Sequence, residues 1–166
     1  MSDLAYVGLG SNLGDRLAHL RAAVAGLGEL AQVEVAAVSA AYESDPVGYV
    51  DQPRFLNGAV ALDCGLTPHD LLARLQDIEQ SRGRERLVRW GPRTLDLDLL
   101  VWGDRLEDTP RLQLPHPRLL ERDFALVPVL EIAPDLRHPV TGRSLAEHAA
   151  ELSGGSGLRR VEPISP

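Results

Sequence analysis

Apolar positions along this chain switch between strand-like runs and helix-like spacing. Leu4 to Leu9 is a short apolar run followed by Gly10-Ser-Asn-Leu-Gly14, which predicts a strand ending in a tight turn. Leu13, Leu17, Leu20, Val24 and Leu27 then recur at three- and four-residue spacing up to Gly28, the pattern of an amphipathic helix with a C-terminal stop. Val33 to Tyr42 predicts a second strand, Glu43 to Pro53 a loop, and Phe55 to Leu62 a third strand. Thr67 caps a second helix with Pro68 in its first turn. Its stripe runs through Leu71, Leu72, Leu75 and Ile78, with Glu79 beside it, and Gly83 ends it. Leu95 to Trp102 is the fourth strand.

Strand, helix, strand, strand, helix, strand is the order of an α+β fold, a ferredoxin-like βαββαβ sandwich with helices on one face of an antiparallel sheet. From Arg111 onward the chain reads as a C-terminal elaboration. It holds a Leu-Pro-His-Pro loop, a helical stretch from Phe124 to Ile132 and a short helix near Ser144 to Leu152. Residues 1–152 are expected to form a single domain, with 153–166 as a flexible link and tail that begins Ser153-Gly-Gly-Ser-Gly157.

Composition narrows the class. At 166 residues, 44% hydrophobic and 25% charged, one globular domain with a sizeable core is the simplest reading. The single cysteine, Cys64, excludes an intrachain disulfide framework and suits a reducing compartment. The first residues lack a secretory pattern and no run of about 18 apolar residues occurs, so a cytoplasmic protein without a membrane partner is expected. A net charge of −7 argues against nucleic acid as a partner. The arginines are nevertheless clustered: Arg82, Arg84, Arg86, Arg89 and Arg93 fall close together, so a local anion site is compatible with an acidic protein.

The most chemically informative stretch is Arg89-Trp-Gly-Pro-Arg-Thr-Leu-Asp-Leu-Asp-Leu-Leu100. Side chains alternate across a strand, so Asp96 and Asp98 share one face while Leu95, Leu97 and Leu99 share the other. Positions two apart on a strand are about 6.5 Å apart, close enough for two acids to share one cation or hold a pair. Magnesium takes one or two carboxylates and leaves its other positions to water and phosphate oxygens. Arg93 and its neighbours bring guanidinium forks suited to phosphate, and Trp90 brings a ring. Acids for a metal, arginines for phosphate and an aromatic plane together point to phosphoryl chemistry.

Other candidates carry two readings each. Gly8-Leu-Gly10-Ser-Asn-Leu-Gly14 is either a tight turn or a glycine-rich turn near a substrate; position 13 is Leu13, which breaks the dinucleotide fingerprint and disfavours a dinucleotide-dependent reductase. His116, between Pro115 and Pro117, is either a loop histidine or a donor to phosphate. Trp90, Phe55 and Phe124 are core residues or the faces of a slot for a planar ring, whose edge the Asn57 amide would read.

These segments resemble a known family. Ala5-Tyr-Val-Gly-Leu-Gly-Ser-Asn-Leu-Gly14, Asp51-Gln-Pro-Arg-Phe-Leu-Asn57, Arg89-Trp-Gly-Pro-Arg-Thr-Leu-Asp-Leu-Asp98, Leu114-Pro-His116 and Arg122-Asp-Phe124 are similar, in order, to the signatures of the 6-hydroxymethyl-7,8-dihydropterin pyrophosphokinases. The resemblance implies transfer of pyrophosphate from ATP to the pterin hydroxymethyl group, release of AMP, and two Mg2+ ions, in folate biosynthesis. It implies Asp96 and Asp98 as metal ligands, with Arg84 and Arg93 beside them in the reaction. Gln76, Glu79, Arg84, Arg86, Arg93, His116 and Arg122 would form the ATP side. Ser44, Asp45, Val47, Phe55, Asn57, Trp90 and Phe124 would form the pterin side. A monomer is expected. The alternative is a noncatalytic nucleotide- or pterin-binding module on the same sheet.

Overall fold

The computed structural model describes residues 3–46, 51–83, 94–152 and 155–165. Along the chain these form β1 (Ala5–Ser11), α1 (Arg16–Gly28), β2 (Val33–Val38), β3 (Ala40–Ser44), β4 (Phe55–Cys64), α2 (Pro68–Ser81) and β5 (Asp96–Trp102). A short hairpin follows, β6 (Glu107–Asp108) and β7 (Gln113–Leu114), then α3 (Asp123–Ile132), α4 (Leu145–Glu151) and β8 (Arg159–Pro163). The main sheet runs β5-β1-β4-β3-β8, with β2 also on β4, and its pairings are antiparallel.

Both helices begin at a side-chain cap, the second at the Thr67 expected from sequence. Asp15 accepts from the Ala18 N–H at 3.1 Å and Thr67 from the Asp70 N–H at 3.2 Å. Leu13, expected on the α1 stripe, precedes the helix and is exposed. One layer of core lies between the sheet and these two helices, with Val7, Leu9, Leu62, Leu97 and Leu99 packed among Leu20, Leu27, Leu71 and Leu75.

The two helices of the βαββαβ unit, α1 and α2, share one face as expected, while Leu126 and Val129 of α3 and Leu145 of α4 pack with Tyr6, Ala59, Ala61 and Val101 on the other side of the sheet. The elaboration therefore supplies the second layer. The single strand expected from Val33 to Tyr42 is broken at Ser39, whose N–H bonds Ala59 O at 2.9 Å while its Oγ takes the Ala59 N–H at 2.9 Å. A side-chain oxygen thus replaces a backbone carbonyl, and β4 passes from β2 to β3 at that point. Finally, the expected tail contains β8, paired with β3 from Ala40↔Pro163 to Glu43↔Arg159. Its residues are all exposed, so no apolar alternation marks it in the sequence.

Beyond β8, Ile164 is only 1% exposed and sits in the first core layer. Arg21 holds the turn there, with Nε on Ile164 O at 2.8 Å and Nη2 on Pro163 O at 3.1 Å. Ile164→Ala should lower unfolding stability by about 2–5 kcal/mol, the cost of a buried Ile-to-Ala truncation. Urea unfolding measures it; a change below about 0.5 kcal/mol, as for a surface site, would mean that residue 164 belongs to a loose tail.

Candidate active site

The site lies where α3 leaves the second face of the sheet uncovered. On β5 the leucines at 97 and 99 enter the first core, so Asp96 and Asp98 face the other way, into a cleft of about 340 Å³. Gly10 stands opposite Asp96 and Gly8 opposite Asp98 on β1, and Asn57 is the next neighbour of Gly10 on β4. Both glycines lie within the strand, and they line the cleft. Their missing side chains make its floor. A Cβ on Gly10 would already lie 3.8 Å from the Phe55 ring and 3.9 Å from Asn57 Oδ1, so any larger side chain would occupy the space between the aspartates and the amide. The turn glycine of this motif is Gly14, with φ +67°.

Each wall is held from behind. Asn57, 4% exposed, donates through Nδ2 to Tyr42 O at 3.0 Å and Ser44 Oγ at 2.8 Å. A backbone carbonyl can only accept, so this fixes the amide: both protons are used internally and Oδ1 is left on the Gly10 side. The Asn57 amide, expected to read the edge of a ring, is thereby left to do so as an acceptor. Glu79, 2% exposed on α2, accepts from the Leu97 N–H at 2.7 Å. β5 is the last strand on its side of the sheet, so this carboxylate holds its outer edge between the two aspartates.

The facing wall comes from the loop after β7 and the start of α3. His116 binds back to the sheet through its N–H on Leu100 O at 2.7 Å, and its Nδ1 accepts from the Arg118 N–H at 3.1 Å. The ring proton therefore sits on Nε2. Burial and the Arg122 charge push this imidazole down to about 4, with Asp96 pulling the other way. Arg122 lies over the Phe124 ring at 5.5 Å, and both line the cleft with Arg118.

Of the residues expected from sequence, Asp96, Asp98, Ser44, Asp45, Phe55, Asn57, His116, Arg122 and Phe124 are brought together around this one cleft. Gln76 is exposed on α2, and neither it nor Glu79 is among the described residues lining the cleft. Val47, Arg84, Arg86, Trp90 and Arg93 lie outside the described residues. Sequence reasoning missed Gly8 as floor and Arg118 as wall; the glycine-to-aspartate pairing across β1 and β5 is the signal that finds the former.

The donor set suits a hard cation. Two carboxylates share a face, and among the described residues no group of three or more His, Cys, Asp or Glu side chains converges to form an all-protein cage. Such a pair leaves most coordination positions to water and to a ligand's own oxygens.

Residues 6–134 match the model of the 7,8-dihydro-6-hydroxymethylpterin-pyrophosphokinase (HPPK) family. The chain belongs to this family. The HPPK region includes every described residue that lines the cleft, from Gly8 to Ala125. A 2-amino-4-hydroxy-6-hydroxymethyldihydropteridine pyrophosphokinase of Pseudomonas aeruginosa is 51% identical over 142 residues, covering 86% of this chain and 87% of the relative. One from Bacillus subtilis is 50% identical over 141 residues, covering 85% and 84%. Among solved structures, the wild-type Plasmodium falciparum HPPK-DHPS superposes with a TM-score of 0.67 at 14% identity, over 91% of this chain and 45% of that one. The α+β fold is thus shared, while the chain spans less than half the length of that protein.

His116 makes the site sensitive to acid. Its folded-state value lies below the ordinary 6.5, so the unfolded chain binds more protons and stability falls as pH drops from about 6.5 to about 4. His116→Asn, which keeps an acceptor but cannot protonate, should lose less stability than wild type over that window. Urea midpoints between about pH 7 and pH 4 report the difference; buried His138, also lowered, retains part of the slope in both proteins. Parallel curves would show that His116 titrates normally.

Proposed function

We propose that this chain transfers the β,γ-pyrophosphoryl group of ATP to the hydroxymethyl oxygen of 6-hydroxymethyl-7,8-dihydropterin, forming AMP and the pterin diphosphate in folate biosynthesis. The observation that carries this reading is the pair Asp96 and Asp98, aimed into one cleft with an aromatic wall and a cationic one. Membership of the HPPK family supports the same activity.

In this reading Asp96 and Asp98 would hold two Mg2+ ions, whose chemistry there would be to offset phosphate charge and make the accepting hydroxyl more acidic. His116 donates its Nε2 proton to a phosphate oxygen, and it remains a neutral donor at physiological pH because its ring is held well below the usual range. Arg122 adds positive charge on the same wall. Phe55 and Phe124 flank the flat ring, and Asn57 Oδ1 accepts from an N–H on its edge. Ser44 and Asp45 border the same edge, and by family resemblance Val47 belongs with them. By family resemblance Arg84 and Arg93 bind the phosphates with Arg86 assisting, Trp90 covers the second face of the ring, and Gln76 and Glu79 frame the nucleotide. Glu79 also serves the site by fixing β5. The chemistry is then positioning and electrostatics, without a dedicated protein base. The same reading takes the protein as a cytoplasmic monomer, for which the lone thiol Cys64 is suited.

Given ATP, the hydroxymethyl pterin and magnesium, the protein should yield AMP and no ADP by chromatography. ADP would indicate an ordinary kinase, and binding without product a noncatalytic module. Asp96→Ala should cut turnover by about a thousandfold or more while leaving the melting temperature near wild type, because residue 96 faces the cleft and not the core. Near-normal turnover would remove Asp96 from the metal site.

A further inference from the structure

The glycine-serine stretch after α4 carries no apolar pattern, yet its described part is tied by hydrogen bonds to two other elements. Ser156 donates its N–H to Asp123 Oδ2 at 3.0 Å and its hydroxyl to Asp123 Oδ1 at 2.6 Å. Its carbonyl accepts from the Asp45 N–H at 2.6 Å. One residue thus uses all three of its polar groups to join two distant elements. Asp123 is the first residue of α3 and precedes Phe124; Asp45 follows Ser44 at the end of β3. Phe124, Ser44 and Asp45 all line the cleft.

The neighbours of Ser156 are shaped to this arrangement. Gly157 has φ +65°, and a Cβ there would lie 2.5 Å from Asp45 Oδ2; a Cβ on Gly155 would lie 3.2 Å from Asp123 Oδ2. Beyond them the chain is fixed. Arg159 pairs with Glu43, which Arg16 also binds at 2.9 Å, and these cations hold the Glu43 carboxyl below its ordinary range. Ile164 then fills the core beside Gly58. Ser156 is therefore a tie between two walls, not the tip of a loose loop.

We propose that Ser156 is a positioning residue for the ring-binding end of the cleft, acting through Asp123 and Asp45 to set the spacing between Phe124 and Ser44. The inference rests on the pyrophosphokinase reading for the identity of the ring. A planar ligand wedged between these walls depends on their separation, whereas the phosphate end, at Asp96, Asp98 and His116, is held by β5 and the loop before α3.

Ser156→Ala removes only the hydroxyl. It should raise the pterin dissociation constant and KM by about tenfold, the loss of one hydrogen bond to a charged acceptor. The dissociation constant for a nonhydrolysable ATP analogue and kcat should stay within about twofold. Ser156→Thr, which keeps the hydroxyl, should restore pterin affinity, and Gly157→Ala, which presses on Asp45, should weaken it again. Pterin binding is read by calorimetry, AMP formation by chromatography, and folding by thermal melting. Unchanged pterin affinity in Ser156→Ala, or equal weakening of both ligands with a lowered melting temperature, would overturn the proposal. Wild-type protein that binds pterin but forms no AMP would overturn the catalytic reading alone, and the variants would still decide the tie. Wild-type protein that does not bind pterin would overturn both.

Discussion

The antiparallel register that sets Gly10 opposite Asp96 and Gly8 opposite Asp98 fixes both sides of this molecule at once. A slip of one residue would turn every side chain of β5 to the opposite face. The aspartates would then point at Leu20, Leu71 and Leu75, and the leucines at 97 and 99 would point into the cleft. Burying a carboxylate without a partner costs several kcal/mol even after relaxation, about as much as the whole margin of stability of a small domain. The alternation of Leu and Asp therefore pins the strand more firmly than either set alone. Glu79 adds a fixed point, since its bond to the Leu97 N–H would be lost in a slip of one residue, which turns that N–H to the other side of the strand.

What could be read in the sequence follows from how far each feature reaches. β5 and the two helices were legible because alternation, helical spacing and the Thr67 cap are local. The division of β2 from β3 was not: it depends on a Ser39 hydroxyl meeting β4 twenty residues later in the chain. β8 escaped because an exposed edge strand needs no apolar face. In the site, the acids, the histidine and Asn57 stood out by residue type and motif. The role of Gly8 and Gly10 did not, because a glycine before a turn looks the same whether it serves the turn or the floor. The orientation of Asn57 required its partners on β3, which no spacing reveals.

Electrostatics within the cleft is divided between the two signs. The protein as a whole carries −7, and among the described lining residues Arg118 and Arg122 offset part of the charge of Asp45, Asp96 and Asp98. His116 sits between these signs, and burial decides its state in favour of the neutral ring. Its Nδ1 bond to the Arg118 N–H also fixes which nitrogen keeps the proton, so the donor is oriented before any ligand arrives.

Asn57 has a consequence for discrimination. With both amide protons committed to Tyr42 and Ser44, it cannot rotate to suit a ligand without breaking two buried bonds. Under the proposed pterin-binding role, a ring offering an N–H to Oδ1 would complete the set, whereas a ring offering a lone pair there would meet two facing acceptors and leave both desolvated. Selection of this kind works by exclusion, and it is stronger than what shape alone provides: a hydrophobic slot separates near-identical rings by about one or two powers of ten, and a committed polar group by about four or five.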